Sequence, residues 1–189
     1  MADQLRQLDV STGRAPASQQ TEVDRSETYS WPWQGYSDQP REMPLAGYSA
    51  LLGVYVGAFG MLFGSLWSRR DRNEHVGVRD AVLFGVATHK IGRIITKDWV
   101  TSPLRAPFTR YQKSMGGGEV EERSRGEGIQ RAIGDLLTCP WCIAPWVAGA
   151  IYATFLVNPA AARLVATAST SVAISDSLQH VYSAMKRLS

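Results

Sequence analysis

Polar and apolar residues are segregated into long blocks along this chain. Residues 1–44 and 97–131 are polar, whereas the segments between and after them are largely apolar. Leu45 to Trp67 is a run of 23 residues without Asp, Glu, Lys or Arg. As a helix it would rise about 35 Å at about 1.5 Å per residue, enough to cross a hydrocarbon core of about 30 Å. The pattern predicts a membrane-spanning helix; the alternative is a buried helix of a soluble domain.

Three further segments are candidate membrane helices. Residues 78–96 are less hydrophobic and collect basic side chains at one end, so they either cross the membrane or lie on its surface. Residues 132–156 are apolar, and residues 161–182, rich in Ala, Ser and Thr, form either a packed span or a half-embedded helix. We therefore predict an all-α integral membrane bundle of about four transmembrane helices over 45–182. A disordered acidic tail, 1–44, precedes it.

Charge refines this picture. Residues 1–44 hold 4 Lys/Arg against 7 Asp/Glu, and Trp31, Trp33 and Tyr36 are expected either at the membrane interface or in an ordinary linker. Loop 97–131 holds seven Lys/Arg and is expected on the cytoplasmic side of a bacterial cell membrane. Nucleic-acid binding is not expected, because spans interrupt the basic residues.

The loop mixes aromatic residues with cations. In residues 97–113 this combination suits a segment resting on an anionic lipid surface, and residues 114–128, with three consecutive glycines, are predicted to form a flexible connector. The cations predicted to face lipid are Arg105, Arg110 and Lys113.

Small residues form a seam on the first predicted span. Their spacings of 4, 3, 4, 3 and 4 place all six on one helical face: Ala46, Ala50, Gly53, Gly57, Gly60 and Gly64. A second seam on the next helix repeats the 4, 3, 4 spacing: Ala81, Gly85, Thr88 and Gly92. Small residues let helix backbones approach closely in lipid. We expect the two helices to pack seam to seam, and the bundle to contact lipid and either another membrane protein or a second copy.

Cys139 and Cys142 are the only cysteines, in the sequence Cys-Pro-Trp-Cys. At a helix start this spacing places both sulfur atoms on one side. Three interpretations remain open: simple packing, a zinc site, or thiol redox exchange. Zinc needs about four ligands, so a histidine or a second chain would have to complete the site. No other cofactor is predicted.

Asp176 and His180 lie one helical turn apart. Inside a membrane they would form a functional pair of ionisable groups, whereas on an interfacial helix they would simply be solvated. No phosphate-binding loop or catalytic triad occurs in a suitable context, so no catalytic residue is predicted.

An ordered series of motifs over about 78–182 resembles a known family. The segments are 85–93 (Gly-Val-Ala-Thr-His-Lys-Ile-Gly-Arg), 97–108 (Lys-Asp-Trp to Ala-Pro-Phe) and 136–146 (Leu-Leu-Thr-Cys-Pro-Trp-Cys to Pro-Trp). They are similar to the bacterial membrane-protein family labelled domain of unknown function 1360, which includes short sporulation-associated proteins. The resemblance implies a membrane location and supports helix 78–96 as a true span. It implies no mechanism.

The biochemical activity stays open at this point. The leading hypothesis is a non-enzymatic membrane scaffold or partner-binding protein; the alternative is a thiol-redox or metal-binding protein using Cys139 and Cys142. Four spans place both termini in the cytoplasm. They also place the loop between the first two helices outside, although it holds four arginines.

Overall fold

The computed structural model describes Tyr36, residues 43–67 and residues 75–188. The chain divides into two units, Met1–Leu45 and Ala46–Ser189. Apart from Leu45, all described helices and strands belong to the second unit. The predicted disordered tail with Trp31 and Trp33, and the arginines just after the first helix, lie outside the described residues.

Six α-helices, one turn of 3₁₀-helix and two strands make up this unit. In chain order they are α1 (Leu45–Trp67), α2 (Val78–Thr96), the 3₁₀ turn (Trp99–Thr101), α3 (Ser102–Arg105), β1 (Thr109–Gly116), β2 (Glu119–Ser124), α4 (Gly128–Thr138), α5 (Pro140–Val157) and α6 (Pro159–Leu188). The fold is mostly helical, as predicted, but it contains a small antiparallel sheet that the sequence analysis did not foresee.

Two helices of the described chain, α1 and α5, are long and apolar enough to cross a membrane. The expectation of about four such helices is therefore met for two. The helix predicted at 78–96 has the expected bounds, but it carries Arg79, Asp80, Lys90 and Arg93, and charged side chains are costly in hydrocarbon. The segment predicted at 161–182 belongs to the longer α6, which is rich in hydroxyl and charged residues.

The main hydrophobic core lies between α2, α5 and α6. Residues four apart on α5 present one apolar face to the other two helices. Edge-on aromatic contacts join Phe84 to Phe155, with ring centroids 5.7 Å apart, and Phe84 to Tyr152, at 5.4 Å. The buried members of this core are Phe84, Ala87, Ile143, Val147, Ile151, Phe155, Ala162 and Ala166.

Contacts along the helices fix their directions. Phe84 meets Phe155 near one end, and Gly92 meets Ile143 near the other, so α2 runs antiparallel to α5. Helix α6 follows α5 after the single residue Asn158 and runs back alongside α2. Thus α2 and α6 run in one direction and α5 in the other.

Aromatic residues attach α1 to α5. The ring of Tyr55 lies 5.2 Å from that of Trp146, and a Cβ on Gly149 would stand only 2.7 Å from the Phe59 ring. Nearer its start, the Tyr48 hydroxyl donates a hydrogen bond of 2.7 Å to Asp135. From the start of α1 onwards, the residues that it contacts have increasing numbers, from Asp135 through Trp146 to Gly149. Helix α1 therefore runs parallel to α5.

The helix predicted over 132–156 is broken in two. Cys139 has an extended backbone (φ −106°, ψ 107°) and separates α4 from α5. Proline explains the break, because the ring of Pro140 disfavours helical geometry at the preceding residue and leaves no N–H for a helical hydrogen bond. The same proline starts α5, where its missing N–H costs nothing.

Loop 97–131 is ordered into local structure, contrary to the expected flexible connector. Its main feature is the β1–β2 hairpin, which pairs Thr109 with Ser124 and Gly116 with Glu119. The three glycines 116–118 at its tip have φ values of 82°, 60° and 83°. Only glycine adopts such values readily, which explains why the glycine run makes a turn.

Candidate functional site

A buried charge cluster holds the hairpin against the end of α2. Arg105 is 1% exposed, and the Glu122 side chain is 5% exposed. The Arg105 Nε and one terminal nitrogen donate to the two Glu122 oxygens at 2.9 and 3.0 Å. The prediction that Arg105 faces lipid is wrong, because the carboxylate on β2 draws its guanidinium inwards.

Every polar group in this Arg105 cluster has partners. The other guanidinium nitrogen donates to the Ile95 carbonyl at 2.7 Å and to the Thr101 hydroxyl at 2.6 Å. Glu122 also accepts from Thr109, at 2.7 Å, and from Ser102, at 3.0 Å. The cluster therefore ties the end of α2, the 3₁₀ turn, α3 and both strands into one rigid piece.

The cluster also lowers the pKa of the Glu122 carboxyl group. Burial alone would raise the pKa of the Glu122 carboxyl, but hydrogen bonds from the cluster and the positive charge of Arg105 outweigh it. The pKa of Glu122 is held below its usual range, so this carboxylate stays ionised under ordinary conditions. Its role is to hold the Arg105 guanidinium and the hydroxyl groups of Ser102 and Thr109 in place.

Asp135 on α4 connects the hairpin to α1. It accepts hydrogen bonds from Tyr48 at 2.7 Å and from Ser124 at 2.5 Å. Next to it, a Cβ on Gly134 would stand 2.5 Å from the Phe108 carbonyl oxygen. The close approach of α4 to the hairpin thus requires glycine at this position.

A wide groove of about 1350 Å³ opens between α2, the hairpin tip and the second half of α6. Lys90 lies on its wall, 2.7 Å from Asp176 and 4.0 Å from Asp98. Arg93 pairs with Glu119 at the hairpin tip. The structure brings Asp176 and His180 to the same groove, but Asp176 pairs with Lys90; between Asp176 and His180 the described residues show no ion pair.

A second ion pair joins α2 to α6 near the opposite end of the core. Arg163 donates two hydrogen bonds of 3.0 Å to the two oxygens of Asp80. The Arg163 guanidinium also lies 5.2 Å from the Phe155 ring centroid. Both charged residues of α2 that face α6 are therefore matched by an opposite charge.

The cysteines lie at the start of α5. Cys139 is the N-cap, and its sulfur accepts a hydrogen bond of 3.2 Å from the Cys142 backbone N–H. Both are free thiols, Cys139 half-buried and Cys142 exposed. Within the described part of the chain, no third His, Cys, Asp or Glu stands close enough to complete a metal site.

The two predicted seams do not pack against each other within the chain. A Cβ added at Gly53, Gly57, Gly60 or Gly64 would meet no described atom within 4 Å. On α2, Gly92 packs near the Ile143 side chain at 3.4 Å, whereas Gly85 is open. Helix α1 instead uses its aromatic face to contact α5, and that face lies on the other side of the helix from its small residues. The remaining seam positions, Ala46, Ala50, Ala81 and Thr88, are exposed or half-buried.

Arg110 and Lys113 lie on the outer face of the hairpin, where both are exposed. Arg110 is paired in register with Arg123, and Lys113 with Glu121, whose carboxylate is 3.2 Å away. This face keeps the basic character that the sequence analysis expected of the loop.

Comparison with known proteins identifies the family. Residues 83–182 match the model of the family described as "Protein of unknown function (DUF1360)". The chain belongs to this family. It is also 32% identical over 85 residues to the sporulation protein YjcA of Bacillus subtilis (strain 168), covering 43% of this chain and 72% of that protein. No solved structure matches significantly.

The DUF1360 region coincides with one structural part of the molecule. It contains most of α2, the hairpin, α4, α5 and most of α6, and therefore the core and the Arg105 cluster. Helix α1 with its seam lies before the matched residues. The resemblance inferred from the sequence motifs is thus confirmed, with nearly the predicted bounds.

Sequence reasoning missed the Arg105 cluster and the paired charges of α2. The local signal for the hairpin was the run of three consecutive glycines, because the strands on either side of it are mostly polar. Nothing in the spacing of Arg105 and Glu122 indicates their contact, because hairpin register brings them together.

Proposed function

We propose that the chain is a non-enzymatic, multi-pass protein of the bacterial cell membrane that binds another membrane protein through α1. The observation that carries this proposal is that α5 covers one face of α1, whereas the face with the small residues is not covered by the described chain. Tyr55 and Phe59 contact α5, whereas the seam lies about half a turn around the helix, where a Cβ on any of its four glycines would meet no described atom within 4 Å. An apolar helix covered on one face only suits a lipid environment, where the rest of its surface needs no protein cover.

The helix directions support more than two crossings. Helices α1 and α5 run parallel, so if both cross the bilayer, the chain between them must cross back. Helix α2 is antiparallel to both and packs along α5, from Phe155 to Ile143. We therefore assign the return crossing to α2, and the next one to the first half of α6.

Pairing reduces the cost of charges on these helices. Asp80 is matched by Arg163, and Lys90 by Asp176. Ionisable residues inside membranes commonly face the bundle interior and pair in this way. Such contacts permit α2 to cross although its composition alone does not indicate a span.

Charge supports the orientation. The end of the bundle that carries the hairpin also carries the seven Lys/Arg of 97–131, and basic loops favour the cytoplasm. In this arrangement the outer face of the hairpin, with Arg110 and Lys113, faces the inner leaflet or the cytoplasm.

Isolation of the full chain from native membranes in mild detergent tests the partner-binding role. We expect a membrane protein to co-purify with the unmodified chain and to be lost with Gly57→Leu or Gly60→Leu. The control, Val54→Leu, enlarges an exposed residue outside the seam and should retain the partner. Because the seam glycines have open space, the seam variants should keep the thermal stability of the unmodified chain. Equal partner recovery in all variants would refute the proposal.

A thiol or zinc site at Cys139 and Cys142 is the second candidate. The N-cap hydrogen bond to the Cys139 sulfur supports it, since it fixes both residues in the first turn of α5. Metal analysis and thiol titration of the purified protein distinguish the two. At least about half a zinc ion per chain, removed by Cys139→Ser, would favour this candidate, because two chains could share one four-thiolate site.

A further inference from the structure

The second half of α6 is amphipathic, with its large, exposed apolar side chains on the side of the helix opposite Asp176. Asp176 pairs with Lys90 at 2.7 Å, in a wide groove lined by charged and apolar residues alike. About half a turn around the helix lies a line of large apolar side chains, each more than half exposed: Ile174, Leu178, Val181, Met185 and Leu188. We call these five residues the C-terminal stripe.

The end of α6 projects beyond the core. Helix α5 has 18 residues and α6 has 30, or about 27 Å and about 45 Å at about 1.5 Å per residue. Because α6 folds back directly after α5, residues beyond about 176 extend past the start of α5. Every residue from 177 to 188 is exposed.

The spacing of the stripe indicates a coiled-coil seam. Its residues are separated by 4, 3, 4 and 3 positions, the repeat by which parallel helices interdigitate. The positions flanking it are uncharged: Ser175, Ser177, Tyr182 and Ala184. Identical copies would therefore meet without repulsion between like charges. The cations of this segment, Lys186 and Arg187, lie in the last turn of α6 and outside these flanking positions.

We infer that the C-terminal stripe is a self-association surface that packs against the same stripe of further copies of this chain. This inference rests on the membrane placement proposed above, because copies in one bilayer are necessarily parallel. The stripe is short for a stable soluble interface, which buries about 800 Å² per partner. Confinement in a membrane raises the effective concentration and compensates for the small area.

The residue types indicate the number of copies. Leu178 and Met185 occupy the first apolar position of the repeat, and Ile174, Val181 and Leu188 occupy the second. In parallel coiled coils, leucine at the first apolar position with β-branched residues at the second favours three or four helices over two. We expect a parallel trimer or tetramer.

Cysteine cross-linking in native membranes tests this inference. In a Cys139→Ser, Cys142→Ser background, we expect Leu178→Cys to form covalent dimers with copper phenanthroline, and Gln179→Cys to remain monomeric. Each chain then carries a single thiol, so the covalent product ends at a dimer whatever the size of the oligomer. The neighbouring position is equally exposed and lies off the stripe, so it controls for random collision.

Three outcomes would overturn the inference. Equal cross-linking at both positions would indicate random collision. If the thiol at position 178 reacts with maleimide but does not cross-link, the stripe does not contact a second copy of this chain. A thiol at 178 that neither cross-links nor reacts with a water-soluble maleimide would place the stripe in lipid. A carbonate wash of the same membranes checks the placement separately: if the chain is released, the proposed function fails, whatever the cross-linking shows.

A second variant tests the energetics without new thiols. Leu178→Glu combined with Met185→Glu should convert the detergent-solubilised oligomer to monomer, whereas Gln179→Glu should not. Because these side chains contact no core residue, the circular dichroism of the variants should match that of the unmodified chain. An unchanged mass for the double variant would contradict the inference.

Discussion

At the scale of single residues, Arg105 and Glu122 are the clearest case of interdependence. Both are almost fully buried, and each satisfies the other's charge together with nearby hydroxyl and carbonyl groups. Removing one charge would leave the other buried without a counterion, and such losses usually cost about 3–5 kcal/mol.

We therefore expect Glu122→Gln to lower the free energy of unfolding by about 3 kcal/mol or more, measured by denaturation in detergent. Glu121→Gln is the matched control. It removes an exposed carboxylate paired with Lys113 and should cost at most about 1 kcal/mol. Similar losses for the two variants would contradict the role given to the Arg105 cluster.

The lowered pKa of Glu122 adds a dependence on pH. A carboxyl group whose pKa falls on folding contributes its stability above the unfolded-state value, here about 4.5, and loses it as pH falls through the folded value. The melting temperature of the unmodified chain should drop as pH falls below about 4.5. Glu122→Gln should reduce this drop; an identical pH profile in both proteins would refute the assignment.

Substitution by alanine is expected to have opposite effects at two glycines of α1. A Cβ on Gly47 would stand 2.8 Å from the Ala132 Cβ and 2.9 Å from the Gly128 carbonyl oxygen, whereas one on Gly53 would meet nothing. Gly47→Ala should therefore destabilise the protein by about 1–3 kcal/mol through overpacking. Gly53→Ala should be neutral or stabilising by up to about 1 kcal/mol, since alanine favours helices. Thermal denaturation of both variants decides this, and equal losses would contradict the packing described for α1.

At the scale of elements, the sequence predicts where helices form better than it predicts what each helix does. The bounds 45–67 and 78–96 are predicted correctly, because charge-free runs and apolar periodicity are local properties. The break at Cys139 is also readable from Pro140, although a single span was expected there. The hairpin is missed because its strands are mostly polar and its stability comes from the buried contacts of Glu122, which no local pattern records.

The contacts of the candidate site are harder to predict than its residues. Asp176 is correctly singled out as unusual, yet its partner is Lys90, 86 positions away, and not the neighbouring His180. Likewise, Arg105 reads as a surface cation until the register of β1 and β2 is known. Contacts between distant segments depend on tertiary structure, which sequence spacing does not contain.

The hairpin tip gives a prediction at this scale. Gly117 has φ +60°, a conformation that alanine adopts only with strain. Gly117→Ala should raise hydrogen-exchange rates in β1 and β2 without affecting α5. Gly85→Ala, on a helix and with open space, serves as control and should leave exchange in the hairpin unchanged. Unchanged protection in the Gly117 variant would show that the tip does not determine hairpin stability.

At the scale of the whole molecule, the parts form a coherent arrangement. The core of α2, α5 and α6 belongs to the DUF1360 region, and α1 adds an apolar helix with an exposed seam. The Arg105 cluster fixes a polar hairpin at one end, and α6 projects from the same end. In the proposed membrane protein, the helices provide lateral contacts, and the hairpin and the C-terminal stripe provide contacts outside the bilayer.

The proposed four-helix topology depends most directly on whether α2 crosses the membrane. Single cysteines at His75→Cys and Gln112→Cys, in a Cys139→Ser, Cys142→Ser background, lie on either side of α2 and are separated by no other proposed span. With a membrane-impermeant maleimide in intact cells, we predict labelling of position 75 at once and of position 112 only after permeabilisation. Labelling of both positions in intact cells, or of neither before permeabilisation, would place them on one side and contradict the account.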